Sequence, residues 1–260
     1  YILAVGGDGT VNEIARAMIH SNAILGIIPK GSGNGLAREL HIPMDVKRAI
    51  DLIAKGHVTT IDCCRANGQV FFCTCGVGFD AAVSQKFANE KRRGSLTYIK
   101  NTIEEYLSYK PEPYELVVDN QTIKEKAFLV ACANASQYGN NAFIAPHANI
   151  QDGRMDVTIL SPFMPLDIAP LAIQLFTKQI DRNSKIKTMK AQQVTIIRQH
   201  PGVMHLDGEP IVADRRIDIT VEPKALHVLT PEVVSFTKEV HNLFDEVTRF
   251  FDKKLPYIFK

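Results

Sequence analysis

The sequence predicts an α/β unit over residues 1–57 followed by a mainly antiparallel β unit over 58–230. Two observations carry this. Up to Gly56, short apolar runs alternate with helix-period stretches across glycine-rich turns, the pattern of strand–loop–helix repeats around a parallel sheet. From Val58 onward, apolar runs pair up around Asn67-Gly68, Asp119-Asn120 and Asp207-Gly208, which is hairpin chemistry and so antiparallel sheet. Residues 231–260 stand apart. Val233, Phe236, Val240, Leu243, Val247 and Phe250 recur at helical spacing, so this stretch reads as an amphipathic helix. Such a stripe packs on its own domain, forms a homodimer seam, or lies on a membrane surface.

In chain order, Tyr1–Val5 reads as a buried strand and Gly6–Gly9 as a tight turn. Thr10 and Glu13 have capping-box spacing, which starts a helix at Thr10 with Ile14, Ala17 and Met18 inward. Ala23–Pro29 is a second buried strand, and Lys30–Gly35 opens a short helix through Leu40. Asp45 caps a helix over Val46–Lys55, and Gly56 ends it. Val58–Arg65 and Gln69–Cys75 form a hairpin, as do Tyr114–Val118 and Ile123–Ala133. Between them, residues 81–109 have a helical stripe of Leu96, Ile99, Ile103 and Leu107. Leu166–Ile180 is a further helix; Met155–Leu160, Gln193–Arg198, Val203–Leu206 and Ile217–Glu222 are further strands. The first strand begins at residue one with neither methionine nor cap, so a segment upstream is expected to be missing from this chain.

Composition narrows the function. Of 260 residues, 45% are hydrophobic and 22% charged, a globular balance that excludes disordered and fibrous chains. The 30 basic and 28 acidic residues leave a net charge of +2, which argues against a nucleic-acid binder. No apolar run reaches the ~20 residues a bilayer span needs, and no signal peptide is evident. Five cysteines without a disulfide framework point to a reducing, cytoplasmic compartment. Strand alternation places Cys73 and Cys75 on one buried face. The eight histidines show no metal spacing; His205, two residues before Asp207, is the one with a possible part in the site.

Two motifs suit phosphate. Gly6-Gly7-Asp8-Gly9-Thr10 sits on a strand-to-helix turn, where glycines admit close backbone approach and the helix offers unpaired N–H groups. A carboxylate there makes sense if a Mg²⁺ or an abstractable proton lies between Asp8 and the phosphate; otherwise Asp8 serves local amides. Lys30-Gly31-Ser32-Gly33-Asn34-Gly35 repeats the arrangement, with Ser32 and Asn34 able to bond phosphate, ribose or backbone. Two such loops on adjacent parallel strands point to one crevice. A third element, Leu206-Asp207-Gly208-Glu209-Pro210, is a hairpin turn that brings together two carboxylates fit for base or metal chemistry.

These motifs, with Gly76-Val77-Gly78-Phe79-Asp80-Ala81 between them, resemble in order and separation those of the diacylglycerol kinase catalytic superfamily. The resemblance covers about residues 1–225 and implies the NAD kinase-like fold, an α/β nucleotide domain and an antiparallel β-sandwich domain. It implies phosphoryl transfer from MgATP to a lipid hydroxyl, of diacylglycerol or a sphingoid base, with peripheral membrane contact. By position, Gly6, Gly7, Asp8, Gly9 and Thr10 would hold ATP phosphates, and Ser32 and Asn34 would contact nucleotide. Asp8, Asp207 or Glu209 would accept the hydroxyl proton. Asp152, with the carbonyls of Asn149 and Arg154, would match a structural divalent-ion site. Three departures stand out. An upstream Asn-Pro-x-Ser-Gly element is absent, Gly35 replaces an acid of the second loop, and Gln151 replaces an acid beside Asp152. The rival readings are a soluble NAD kinase, which shares the first turn, and a non-catalytic nucleotide- or lipid-binding module.

Overall fold

A computed structural model describes residues 1–88 and 109–232. The helical stripe at Leu96–Leu107 and the helix over 233–260 lie outside the described residues. Residues 1–230 form one unit built on two sheets.

Strands β1 (Ile2–Gly6) and β2 (Ile24–Pro29) are parallel, as the sequence predicts. Helices α1 (Asp8–Met18), α2 (Gly35–Glu39) and α3 (Val46–Lys55) accompany them. Asp45 caps α3 by accepting the Arg48 N–H at 2.9 Å. Three local expectations are corrected. Helix α1 begins at Asp8, not Thr10, because Gly7 takes the N-cap and no Thr10–Glu13 box forms. Its phase shifts accordingly: Val11, Ala15 and Met18 are buried and Ala17 is exposed. Strand β1 is a sheet edge rather than a buried strand: Ile2, Leu3 and Val5 are exposed and Ala4 is buried.

The hairpin β3 (His57–Ala66)–β4 (Gln69–Phe71) turns at Asn67-Gly68, and β6 (Glu112–Val118)–β7 (Gln121–Ala127) at Asp119-Asn120. Both downstream runs then break. Residues after Phe71 leave as β5 (Thr74–Gly78), and those after Ala127 as β8 (Leu129–Ala133), each passing into the second sheet. The break at Phe72-Cys73 also defeats the expected alternation. Cys75 enters the core between the sheets, whereas Cys73 packs under the helices with Leu36 and Phe72. All five cysteines are free and buried, Cys73 and Cys75 among them as expected.

The remaining elements are β9 (Met155–Leu160), α5 (Ile168–Phe176), β10 (Ile186–Ala191), β11 (Gln193–Arg198), β12 (Gly202–Leu206), β13 (Glu209–Ala213) and β14 (Arg216–Thr230). Strands β10 and β13 were not read from the sequence, and α5 is shorter than the 166–180 stretch. One sheet runs β1-β2-β14-β11-β6-β7, with β3 on β14 and β4 on β3; the other runs β10-β9-β8-β5-β12-β13. Between them lies an apolar core that includes Phe71, Leu116, Met155, Ile196, Met204 and Ile217. Strand β14 joins the two parts of the molecule. Its first half pairs antiparallel with β11, and after an irregularity between Glu222 and Leu226 its end pairs parallel with β2. The glycine loops at the C-terminal ends of β1 and β2 are thereby fixed against the sandwich.

Candidate active site

Parallel register sets Gly6 beside Pro29, and Lys30 N–H donates to the Gly6 carbonyl at 2.8 Å. The two loops therefore leave the sheet side by side and meet backbone to backbone at Gly7 and Gly31. A Cβ built on Gly31 would lie 2.6 Å from Gly7 Cα, and one on Gly7 would lie 3.2 Å from Gly31 Cα. Only glycine permits this approach.

Asp8 crosses the junction. Its Oδ2 accepts the Asn34 N–H at 2.8 Å and its Oδ1 the Gly35 N–H at 2.6 Å. The carboxylate of the first loop thus serves the N-terminus of α2, where unpaired amides and the helix dipole favour negative charge. Each oxygen keeps lone-pair capacity for one further partner. Asn34 is committed to its own loop: Gly31 N–H donates to its Oδ1 at 2.9 Å, and its Nδ2 donates to the Gly31 carbonyl at 2.7 Å. Ser32 and Thr10 are exposed. The first-turn amides of α1, Asp8 to Thr10, have no intrahelical acceptor. These amides, with the two hydroxyls, form a surface able to hold an anion.

The turn at Asp207-Gly208 has positive φ at both residues (50° and 82°), the geometry of a tight hairpin turn. The structure separates its two acids. Asp207 turns inward: its Oδ2 accepts Phe72 N–H at 2.8 Å, and its Oδ1 accepts Cys73 and Thr74 N–H at 2.7 and 2.9 Å. Burial pushes this carboxyl up and the three amides pull it down. Asp207 therefore pins the corner where the chain changes sheets. Glu209 points outward beside the first loop: its Oε1 lies 3.5 Å from a Cβ built on Gly9, and its Oε2 is 3.8 Å from Arg16 Nη1.

Three further residues gather here from distant segments. Asp80, in the first turn of α4 (Phe79–Ala88), has a side chain that is 9% exposed. Its Oδ2 accepts the Tyr138 hydroxyl at 3.0 Å and lies 3.1 Å from His205 Nε2; its Oδ1 accepts Ala81 N–H at 2.8 Å. Gly208 N–H donates to His205 Nδ1 at 3.3 Å, so Nε2 carries the proton that faces Asp80. A Cβ on Gly76 would sit 2.2 Å from Asp80 Oδ2, so the cluster needs that glycine. Tyr138 reaches the second loop as well, for its carbonyl lies 3.4 Å from a Cβ built on Gly35. In the sequence Asp80 is a position in a glycine-rich motif and His205 lies close to Asp207, whereas in the fold the ring turns to Asp80. Cys73 borders Gly35, but burial raises its thiol well above the ordinary range, which leaves it no nucleophile.

The turn expected to hold a structural cation is already served by the protein. Lys190 Nζ lies 2.6 Å from Asp152 Oδ2 and 3.4 Å from Asp156 Oδ2. Burial lowers the ammonium's proton affinity, and the carboxylates more than offset this, so its pKa stands above the lysine range. The Asn149 carbonyl accepts Asp152 N–H at 3.2 Å, and Asp152 Oδ1 accepts Arg154 N–H at 3.0 Å. Asp62, buried in β3, fastens the turn by accepting Gly153 N–H, and also accepts Lys224 N–H, both at 2.7 Å. A divalent ion does not fit beside this ammonium, and the described residues hold no cluster of three or more His, Cys, Asp or Glu suited to a metal.

Residues 1–66 match the diacylglycerol kinase catalytic domain, and residues 73–230 match the YegS C-terminal NAD kinase beta sandwich-like domain. The chain belongs to the diacylglycerol kinase family of lipid kinases. It is 30% identical to a diacylglycerol kinase of Mycobacterium tuberculosis, across 88% of this chain and 76% of that protein. It is 29% identical to a probable YegS-like lipid kinase of Pectobacterium atrosepticum, across 88% and 78%. A Synechocystis relative is 26% identical over 89% of this chain, which spans only 55% of that protein. A crystal structure of a putative diacylglycerol kinase from Bacillus anthracis has the same fold, with a TM-score of 0.73 at 24% identity over 90% of this chain and 77% of that one.

Proposed function

We propose that this lipid kinase transfers the γ-phosphate of MgATP to the hydroxyl of a diacylglycerol or sphingoid-base lipid. The backbone junction of the two glycine loops carries the reading: Gly7 and Gly31 touch, and Asp8 is bonded across them. Phosphoryl transfer asks chiefly for positioning and charge neutralisation. The α1 amides with Thr10 and Ser32 hold the triphosphate. A magnesium ion bound with the nucleotide would supply neutralisation of phosphate charge; Asp8 and Glu209 are the acids with lone pairs to spare that would hold it. In the reaction, the lipid oxygen forms a bond to the γ-phosphorus, the bond from that phosphorus to the β,γ-bridging oxygen breaks, and ADP leaves. The hydroxyl proton passes to Asp8 or Glu209, since Asp207 is engaged with three amides.

Asp80 lies on the sandwich side of this site, with Phe79 beside it in an aromatic group that includes Phe128 at 4.6 Å between ring centroids. That group offers an apolar wall for an acyl or sphingoid chain. Membrane contact is peripheral in this reading. Among the described residues no helix is long and apolar enough to cross a bilayer. Transfer of radiolabel from γ-labelled ATP to a panel of diacylglycerol, sphingosine, ceramide and monoacylglycerol tests the proposal. Label should enter at least one lipid and be lost in Asp8→Asn. Undiminished labelling by Asp8→Asn would contradict its role.

A further inference from the structure

We propose that the segment Phe163–Phe176 is the membrane-docking element of this kinase, seating its outer face in an anionic phospholipid surface. The inference rests on the lipid-kinase reading and names the surface through which the enzyme meets its substrate's bilayer. Helix α5, Ile168–Phe176, contains no charged residue and one polar one, Gln174. Between Ser161 and Thr177 the single charge is Asp167, whose Oδ2 is turned back to accept Met164 N–H at 2.9 Å.

A surface helix ordinarily has a polar outer face; this one has an apolar face on both sides. Inward, Leu171 and Leu175 pack on the second sheet. Outward, Met164 is 69% exposed, Leu166 88%, Ile173 63% and Phe176 54%. Four large apolar side chains on one short segment are a grouped patch, not the scattered exposure common on soluble proteins.

Charge identifies the occupant. The chain leaving α5 carries Lys178, Arg182 and Lys185, and among the described residues none of the three is in an ion pair with a carboxylate. The acid between them, Asp181, faces His147. Lys178 Nζ lies over the Phe143 ring at 4.3 Å, which leaves Arg182 and Lys185 as the cations without a described partner; apolar side chains bordered by such cations match a bilayer in which acyl chains lie below anionic headgroups.

Position links the surface to the chemistry. Phe163, at the root of the segment, stacks on Phe128 at 4.7 Å, and Phe128 stacks on Phe79. Phe79 precedes Asp80, and Tyr138, bonded to Asp80, lies in the same apolar cluster as Leu171 and Leu175. A continuous apolar row thus links the exposed segment to the carboxylate of the site.

The chain has no tryptophan, so one introduced indole reports on its own position. Leu166→Trp and, as a control on α3, Ile50→Trp are mixed with vesicles of equal parts phosphatidylglycerol and phosphatidylcholine. Leu166→Trp emission should shift to the blue and be quenched by brominated acyl chains, and Ile50→Trp should do neither. In sedimentation with the same vesicles, the double change Leu166→Glu/Ile173→Glu should lower the partition coefficient at least about tenfold. Its turnover of a short-chain, monomeric diacylglycerol should stay at the wild-type level. No blue shift at position 166, or wild-type sedimentation by the double variant, overturns the proposal. A drop in oligomeric mass of the double variant with vesicle binding retained also overturns it, by assigning the face to a second copy of the chain. Absence of label transfer by the wild type to every lipid of the panel would instead sink the lipid-kinase reading, while the vesicle measurements still judge the surface.

Discussion

The ammonium of Lys190 lies 2.6 Å from Asp152 Oδ2, on the turn where the family resemblance places a structural divalent ion. Lys190 reaches it from β10, so the contact ties β10 to the 149–154 turn that Asp62 holds from β3. A fixed internal cation removes the need for a bound one. The thermal midpoint of the wild type should be the same in chelator and in millimolar Mg²⁺. Lys190→Met should leave Asp152 and the mostly buried Asp156 uncompensated, at a cost of about 1–3 kcal/mol, with each kcal/mol worth about 2–4 °C. It should also make the midpoint rise with added Mg²⁺. Calorimetric scans of both proteins check this, and a chelator-sensitive wild type would refute it.

The two acids of the Asp207-Gly208-Glu209 turn should fail in different ways. Asp207→Asn places an amide N–H₂ among three backbone donors, so at least one of them loses its acceptor. The expected result is a stability loss of about 1–3 kcal/mol in denaturant titration. Glu209→Gln, at an exposed site, should unfold at the wild-type denaturant concentration and show its defect in turnover alone.

Tyr138 and His205 hold Asp80 from two sides, and neither adds charge in the state described. Tyr138→Phe removes one hydrogen bond to a carboxylate, worth about 1.5–3 kcal/mol. The loss in kcat/KM should be on the order of tenfold to a hundredfold. His205→Ala should disturb both Asp80 and the Gly208 turn, and His205→Asn should recover part of the loss. Equal activity of the wild type and Tyr138→Phe would remove Asp80 from the site.

An acid-dependent element lies on β14. Glu222 accepts from Arg65 Nε and is 3.0 Å from His20 Nε2, and the Arg65 bond chiefly holds its carboxyl below the usual range. A depressed carboxyl contributes stability above its unfolded value, about 4.3, and loses it as pH falls through the folded value. The stability gap between wild type and Arg65→Met should therefore be widest above about pH 5 and close on further acidification. Urea titrations across that range read it directly, and a gap that widened in acid would contradict the assignment.

How much of this was legible in the sequence follows from where the determinants sit. The glycine turns, the Asp45 cap and the Asn67-Gly68 hairpin are set by residues a few positions apart, and the sequence reading places them correctly. The start of α1 escaped it because Asp8 bonds to residues 26 and 27 positions away, and no local pattern shows that. The split of Cys73 from Cys75 has the same origin, since Asp207 holds the intervening backbone from across the fold. Asp80, Tyr138 and His205 meet only once the second sheet forms, so the sequence places Asp80 in a glycine-rich motif and His205 near the late acidic turn but shows nothing of their meeting. The Lys190 contact leaves no mark in the sequence, because charge spacing along a chain does not reveal an acid 38 positions away.

The central claim is that two glycine loops in backbone contact make one phosphate site. Gly31→Ala tests it most directly, because the added methyl would lie 2.6 Å from Gly7 Cα, where backbone must move. Forced overpacking of this kind costs about 1–3 kcal/mol, so calorimetric titration of MgATP should show affinity lower by on the order of tenfold or more, with the circular dichroism spectrum unchanged. MgATP binding by Gly31→Ala as tight as by the wild type would contradict it.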